Sequence, residues 1–231
     1  GFRDADHEVE VFQFPNICSG DSFFHHNEIP VHSFAITPPT WFSTRGLGRL
    51  ARITGYVDRY HSKYLLRLTH KVLTTRVQQR GFEIIEATSN RGLPLSYLRR
   101  ERRRLPVLTR VSTTMALHFQ ENLSKPDFNQ RKECEYEEET IHRSDRLVTH
   151  TKVHAKELET ELGVDAVRFR IIPHGIDIPA PPEPSIRSIN KELKVLFLGR
   201  FESRKGADVL LDAIPKVLTN HSTVRFILAG R

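Results

Sequence analysis

Val195-Leu-Phe-Leu-Gly-Arg-Phe-Glu-Ser-Arg-Lys-Gly206 is the most informative stretch of this 231-residue chain. Its apolar beginning, Val195–Leu198, predicts a buried strand, and the next residues, Ala207–Ala213, predict a helix. The loop between them places Arg200 and Lys205 beside the free N–H groups of a helix N-terminus. Two cations and a helix N-terminus together suit a diphosphate.

Other interpretations of this loop depend on its glycines and on the residues next to Lys205. Gly199 and Gly206 could be simple turn residues with solvated cations around them, and spacing alone leaves that alternative open. A nucleoside-triphosphatase loop is excluded, because it needs Gly before the Lys and Ser or Thr after it. Here Arg204 precedes Lys205 and Gly206 follows it.

Outward from this loop, strand and helix patterns alternate along the chain. The predicted strands are 6–13, 31–36, 82–87, 106–112, 146–149, 168–172, 193–198 and 223–228. The predicted helices lie within 47–79 and at 133–142, 152–162 and 207–218, with Gly81 and Gly163 as stops. Such alternation predicts an α/β fold whose parallel sheet is covered on both faces. The acidic run 133–139 is interpreted as a solvated helix face.

A proline-rich segment, Ile178-Pro-Ala-Pro-Pro-Glu-Pro184, interrupts the alternation, because proline supplies no N–H and fixes φ. It predicts a linker at 178–191. The domains on either side are then 1–177 and 192–231.

The charge and composition narrow the function classes. The net charge is +7, and residues 52–110 hold 14 Lys and Arg against 4 Asp and Glu, a local balance of +10. This basic segment fits a solvated surface or contact with an anionic membrane. Nucleic acid is disfavoured as a partner, since aromatic residues do not interleave with the cations.

Cys18 and Cys134 match no metal or redox spacing and suggest reduced thiols of a cytosolic protein. His25-His26 is a poor metal candidate for the same reason of spacing.

The motifs on both sides of the linker closely resemble those of the retaining glycosyltransferases of family four, which have the GT-B fold. They are Ile172-Pro-His-Gly-Ile-Asp177, the stretch Val195–Gly206, and Leu210-Leu-Asp-Ala-Ile-Pro215. Weaker matches are Asp6–Val11, Phe82–Ala87 and Arg143–Thr151. The resemblance covers nearly the whole chain, weakly over 14–80 and strongly from 133 onward.

This resemblance implies two Rossmann-like domains and a nucleotide-diphosphate sugar as co-substrate. Arg200 and Lys205, with Gly199 and Gly206, would bind the donor diphosphate and stabilise the leaving group. These cations would replace a metal ion, so no metal and no cofactor are expected. Retention would come from same-face attack assisted by the donor phosphate, so no catalytic residue is assigned.

The resemblance also assigns the hinge and the acceptor side. His174, Gly175 and Asp177 match the family's hinge and would line the cleft. For His174, a purely backbone-bonding role is an equal alternative. Ser112, followed by Thr113, stands where family members commonly carry a histidine, and a hydroxyl can bond a sugar oxygen without carrying charge.

The family's glycine-rich first loop would lie before Gly1, and its paired glutamates beyond Arg231. The resemblance therefore implies a chain truncated at both ends, without its first strand and with only the first strand–helix–strand of the donor domain. Such a fragment would be inactive by itself.

The expected function is transfer of a sugar, with retention, to an unknown glycan, lipid-linked or small-molecule acceptor. The expected location is the cytoplasm, with peripheral contact at the inner membrane face through 52–110. The alternative is a non-catalytic nucleotide- or partner-binding module.

Overall fold

The computed structural model describes residues 7–14, 20–35, 56–100, 105–175 and 193–230. In chain order the strands and helices are β1 (Val11–Gln13), β2 (Ser22–His26), β3 (Ile29–Ser33), α1 (Tyr56–Arg80), β4 (Ile85–Thr88), α2 (Leu95–Leu98), β5 (Val107–Arg110), α3 (Met115–Glu121), α4 (Phe128–Arg143), β6 (Arg146–Thr149), α5 (Lys152–Leu162), β7 (Phe169–Ile171), β8 (Lys194–Leu198), α6 (Ala207–Asn220) and β9 (Arg225–Ala229). The predicted linker at 178–191 and Asp177 lie outside the described residues.

The chain divides into two compact units. The first unit comprises Gly1–Met115 and Asp127–Pro173, and the second comprises Ala116–Pro126 and His174–Arg231.

The first unit is built on a parallel sheet with the order β4-β5-β6-β7. Its core contains residues that are at most 6% exposed: Val111, Ile141, Leu147, Ala155, Leu158, Val164 and Phe169. Burying one such leucine contributes roughly 1.5–3 kcal/mol to folding. The parallel α/β architecture predicted from the alternating pattern is confirmed.

Helix α4 begins five residues earlier than the pattern predicted, at Phe128 instead of residue 133. The reason is a capping box. The Asp127 carboxylate accepts the N–H of Asn129 at 2.7 Å and of Gln130 at 2.9 Å, and the Gln130 side chain accepts the Asp127 N–H at 2.8 Å. Donors that the first turn would leave unpaired are thereby satisfied.

Helix α5 has the bounds that the sequence predicted, 152–162. The Thr151 hydroxyl accepts the His154 N–H at its start, and Gly163, at φ 66°, ends it in the left-handed conformation. A glycine reaches that conformation without the steric cost of a Cβ, which is why it stops the helix.

A second, smaller sheet has the order β1-β3-β2. The hairpin of β2 and β3 was not predicted. Its two turn residues, Asn27 and Glu28, both have positive φ, 48° and 65°, as a two-residue hairpin turn of the I′ type requires. Glutamate is an uncommon residue in that conformation, so the sequence carried little sign of this turn.

The second unit contains β8, α6 and β9, with the two strands parallel and in the register Leu198↔Ala229. The predicted strand–helix–strand is confirmed, but the expectation that its first strand is buried is wrong for Leu196 and Leu198, which are 61% and 79% exposed. Helix α6 continues to Asn220 with Pro215 inside it.

In the first unit, the turn before α2 packs tightly on α4 at Gly92. Gly92 has φ 65°, and a Cβ at this position would lie 2.7 Å from Tyr136 Cβ and 2.9 Å from its carbonyl oxygen. A side chain here is therefore both conformationally strained and crowded.

Among the described residues, no helix is long and apolar enough to cross a membrane.

Gly92→Ala should lower the free energy of unfolding by roughly 2 kcal/mol or more. The cost combines about 1–2 kcal/mol for a left-handed residue with the strain of overpacking. Urea unfolding followed by circular dichroism measures it.

Gly81→Ala is the matched control. Gly81 also has φ 65°, but a Cβ there would meet nothing within 4 Å. It should cost only the conformational part, so equal losses in the two variants would contradict the packing argument.

Candidate functional site

Four strand ends converge at one edge of the parallel sheet in the first unit. Because β4–β7 all run in the same direction, their carboxyl ends lie on the same side. Ligands of open α/β sheets bind outside such an edge. The residues that follow the four strands are Ser89, Val111–Thr114, His150–Thr151 and Ile172–Pro173.

The predicted acceptor-side residues, Ser112 and Thr113, lie at this edge and are exposed. They are flanked by Val111 and Thr114, which are 0% and 2% exposed. The Val111 N–H donates to the Val148 carbonyl at 2.8 Å, which extends the ladder beyond β5. Within the described residues, neither exposed hydroxyl has a hydrogen-bond partner, so both are available to a ligand.

Two carboxylates from neighbouring helices hold the segment beyond Thr113. Glu137 of α4 is 3% exposed and accepts the Ser89 hydroxyl and the Met115 N–H, each at 2.7 Å. Glu161 of α5 accepts the Thr114 hydroxyl at 2.9 Å. The interpretation of 133–139 as a solvated face is therefore wrong for Glu137. It lies one turn before Ile141, which is 0% exposed, and this spacing was the sequence signal that the interpretation missed.

The pKa values of two carboxylates of α4 are shifted in opposite directions. Burial raises the pKa of Glu137, and nearby Glu161 and Glu133 raise it further. Hydrogen bonds from Arg99 and Arg143 lower the pKa of Glu139 to about 2. Burial and the surrounding glutamates raise the pKa of Cys134 to about 11, so its thiol is a poor nucleophile at neutral pH.

At the end of β6, Thr149 Oγ1 lies 2.5 Å from His154 Nδ1. His154 belongs to the first turn of α5, where Thr151 accepts its N–H at 3.0 Å. The exit of this strand is thereby tied directly to the helix that follows.

In the second unit, the carboxyl ends of β8 and β9 meet in close backbone contact. The Gly199 N–H donates to the Ala229 carbonyl at 3.0 Å. A Cβ at position 230 would lie 1.8 Å from the Gly199 carbonyl oxygen, so Gly230 is required at this crossing. Sequence reasoning did not single out Gly230.

The predicted diphosphate residues lie in the loop that leads from β8 to α6 in this unit. Gly206, at φ 69°, is the N-cap and supplies no capping side chain. Lys205 is exposed. The Arg200 side chain is 49% exposed and lies 2.7 Å from the Glu202 carboxylate.

Glu202 was also missed. It pairs with Arg204 as well, at 2.8 Å, and the Arg204 side chain is only 15% exposed. Its position two residues from each arginine was the available signal. Of the loop's cations, Lys205 is thus the one without an ion pair in the described part of the chain.

The remaining predicted residues contribute less. His174 and Gly175 are exposed, and Asp177 lies outside the described residues. His25 and His26 lie in β2, and the described residues contain no group of three or more His, Cys, Asp or Glu that could hold a metal ion.

A cavity of about 430 Å³ in the first unit contains none of the predicted site residues. Its lining includes Arg99 and Lys132. Both are ion-paired, with Glu139 at 2.5 Å and with Glu135 at 2.6 Å. Lys63 also lines the cavity and is exposed without an ion pair among the described residues, so the pairing neutralises only part of the positive charge there.

A family model described as Glycosyltransferase Family 4 matches residues 1–179. A D-inositol 3-phosphate glycosyltransferase of Xylanimonas cellulosilytica is 33% identical over 107 residues, covering 41% of this chain and 25% of that protein. A phosphatidyl-myo-inositol mannosyltransferase of Mycolicibacterium smegmatis is 41% identical over 73 residues, covering 30% and 18%. A phosphatidyl-myo-inositol mannosyltransferase of Mycobacterium leprae is 41% identical over 75 residues, covering 30% and 19%. The matches thus span a quarter or less of these relatives.

Two of the glutamates of α4, Glu137 and Glu139, predict opposite pH dependences of stability. A raised pKa in the folded state means that stability is complete below the unfolded pKa and is lost as the pH rises. Glu137→Gln, which cannot ionise, should therefore gain stability relative to the parent chain as the pH rises from about 4 to 7. Urea unfolding at several pH values measures the difference.

Glu139→Gln is the control of opposite sign. Its lowered pKa contributes stability that is present above the unfolded value and lost as the pH falls toward about 2. Because the pair is partly exposed, we expect a deficit of about 1 kcal/mol at neutral pH that disappears in acid. Parallel pH profiles for the two variants would contradict the opposite shifts.

Proposed function

The chain belongs to Glycosyltransferase Family 4, and on that premise we propose that the protein transfers a sugar from a nucleotide-diphosphate sugar to an acceptor, with retention of the anomeric configuration. The observation that carries this proposal is the loop at the carboxyl end of β8. There Arg200 and Lys205, both exposed, accompany the N-terminus of α6.

The loop offers three kinds of donor to a diphosphate. Arg200 provides a planar fork for two oxygens, Lys205 a mobile point charge, and α6 its first N–H groups. In the transition state these groups would stabilise the negative charge that develops on the leaving diphosphate. Same-face attack assisted by the donor's phosphate needs no nucleophile from the protein.

The ion pair with Glu202 is compatible with this role. A surface pair contributes about 0–1 kcal/mol, whereas a charge-assisted hydrogen bond to a phosphate contributes about 1.5–3 kcal/mol. Arg200 would therefore exchange its bond to Glu202 for one to the donor.

For the acceptor we infer an inositol that carries phosphate. The names of the three relatives all contain inositol. One name refers to inositol 3-phosphate, and the other two refer to phosphatidyl-myo-inositol. The exposed hydroxyls of Ser112 and Thr113 can bond ring hydroxyls at the sheet edge.

Contact with an anionic membrane would favour the lipid-linked form of this acceptor. Lys63, Arg67 and Lys71 are exposed at successive four-residue intervals on α1 and so form one row. Each such cation contributes about 1 kcal/mol near a charged lipid surface.

Arg200→Ala and Lys205→Ala should each weaken the binding of inorganic pyrophosphate about tenfold, because each removes a charge-assisted contact. Isothermal titration at fixed low salt measures the affinity. Lys216→Ala, which removes an exposed cation from a later turn of α6, should leave the affinity unchanged.

Glu202→Gln should act in the opposite direction and tighten binding, since it removes the competing carboxylate. Unchanged affinity in both cation variants would reject the donor-diphosphate role. Loss of affinity in Lys216→Ala as well would indicate only a general charge effect.

Replacing Lys63, Arg67 and Lys71 together by Ala should abolish flotation of the chain with vesicles that contain anionic phosphatidylserine. Binding by the parent chain should also fade with added salt, because surface attraction is screened. The control is a variant in which Lys152, Lys156 and Lys216 are replaced by Ala, because it loses the same total charge at other positions. Equal loss of flotation in both triple variants would overturn the role of the α1 row.

A further inference from the structure

The exposed pair Ser112 and Thr113 is held by contacts on both sides. Before it, Val111 donates its N–H to Val148 at 2.8 Å. After it, the Thr114 hydroxyl donates to Glu161 at 2.9 Å. The segment is thus bound to β6 at one end and to α5 at the other.

Glu137 adds a contact of a different kind, because its two oxygens bond two separate strand exits. Oε1 accepts from Ser89, which follows β4, and Oε2 accepts from Met115, which follows β5. Ser89 is itself 1% exposed, and its N–H donates to the Arg110 carbonyl at 3.3 Å. The carboxyl group therefore bridges a fixed sheet position to the segment that carries the exposed hydroxyls.

From this geometry we propose that Glu137 is a positioning residue that sets the conformation of Ser112–Met115 by bridging Ser89 to the Met115 N–H. This inference rests on the acceptor role proposed for Ser112 and Thr113. The backbone contact itself can be observed whether or not that role is correct.

The bridge does not need a negative charge. A protonated carboxyl group can donate to the Ser89 oxygen and still accept the Met115 N–H, because a hydroxyl both donates and accepts. A glutamine side chain can make the same two bonds through its amide. Alanine can make neither.

Ionisable groups interact with Glu137 from its own helix and from α5. Glu133 and Cys134 lie on its own helix, and Glu161 faces it from α5. Arg91 lies 3.6 Å from Glu133 and offsets part of that acidic charge. The negative charge of Glu161 and Glu133 disfavours ionisation of Glu137 and so adds to the effect of burial on its pKa.

Amide hydrogen exchange in the full 231-residue chain tests the bridge. Protection of the Met115 amide should fall about tenfold or more in Glu137→Ala and should be retained in Glu137→Gln. The amides of Ile141 and Leu158 in the core report global opening and serve as the reference. Glu138→Gln, an exposed neighbour on α4, should change nothing.

Titration gives a second readout. The Met115 amide shift should follow the protonation of Glu137 in the parent chain and lose that titration in Glu137→Gln. If Glu137→Ala does not fold, Ser89→Ala removes only the donating hydroxyl and should still lower the protection of Met115 severalfold relative to the core.

The proposal is overturned if Met115 stays equally protected in Glu137→Ala, or in Ser89→Ala where that variant is used. It is also overturned if the Met115 amide loses protection in Glu137→Gln as it does in Glu137→Ala.

Binding of myo-inositol 1-phosphate is measured separately on the parent chain and the two Glu137 variants. If the parent chain binds none, the proposed acceptor role fails while the exchange data still decide the bridge. If the parent binds and Glu137→Ala binds equally well, the positioning role fails.

Discussion

Parallel strand pairing is the constraint on which both units depend. In β4–β7 it brings four strand exits to one edge, and in β8 and β9 it brings Gly199 beside Gly230. The residue types at such an edge can differ without loss of sheet hydrogen bonds, because those bonds are made within the strands that precede the edge. The candidate residues of each unit lie where the ladder ends and solvent begins.

Helix α4 shows how one acidic sequence can serve several purposes. Glu139 is stabilised by Arg99 and Arg143 at the surface, and Glu137 is buried against two backbone segments. The second arrangement costs desolvation, which the hydrogen bonds from Ser89 and Met115 offset in part. A buried carboxyl group therefore fixes a strand exit that apolar packing alone would leave without a partner for its N–H.

Much of the fold could be predicted because its signals are local. Helix α5 was predicted at its full length, since Thr151 and Gly163 mark its ends chemically. Strand β2 escaped prediction, because Ser-Phe-Phe-His-His does not alternate and the Asn27-Glu28 turn lacks the usual glycine. The start of α4 was predictable in principle from Asp127 and Gln130, which form a capping box.

The candidate site was predictable only where chemistry and sequence spacing coincide. Arg200 and Lys205 flank one short loop, so their common location followed from the strand–helix pattern. The role of Glu137 depends on Ser89 and Met115, 48 and 22 residues away, and no local pattern reports such contacts. Helical spacing from Ile141 could mark Glu137 as buried, but it could not identify the two groups that its carboxylate contacts.

The site that we propose for the diphosphate of a sugar donor is the loop between β8 and α6. The most direct measurement is a titration of the isotope-labelled chain with inorganic pyrophosphate, followed through its backbone amide shifts. We expect saturable shifts that are largest from Gly199 to Ala207, with the row Lys63, Arg67 and Lys71 unaffected. Shifts that are absent from the loop, or that follow the cations of α1 instead, would contradict it.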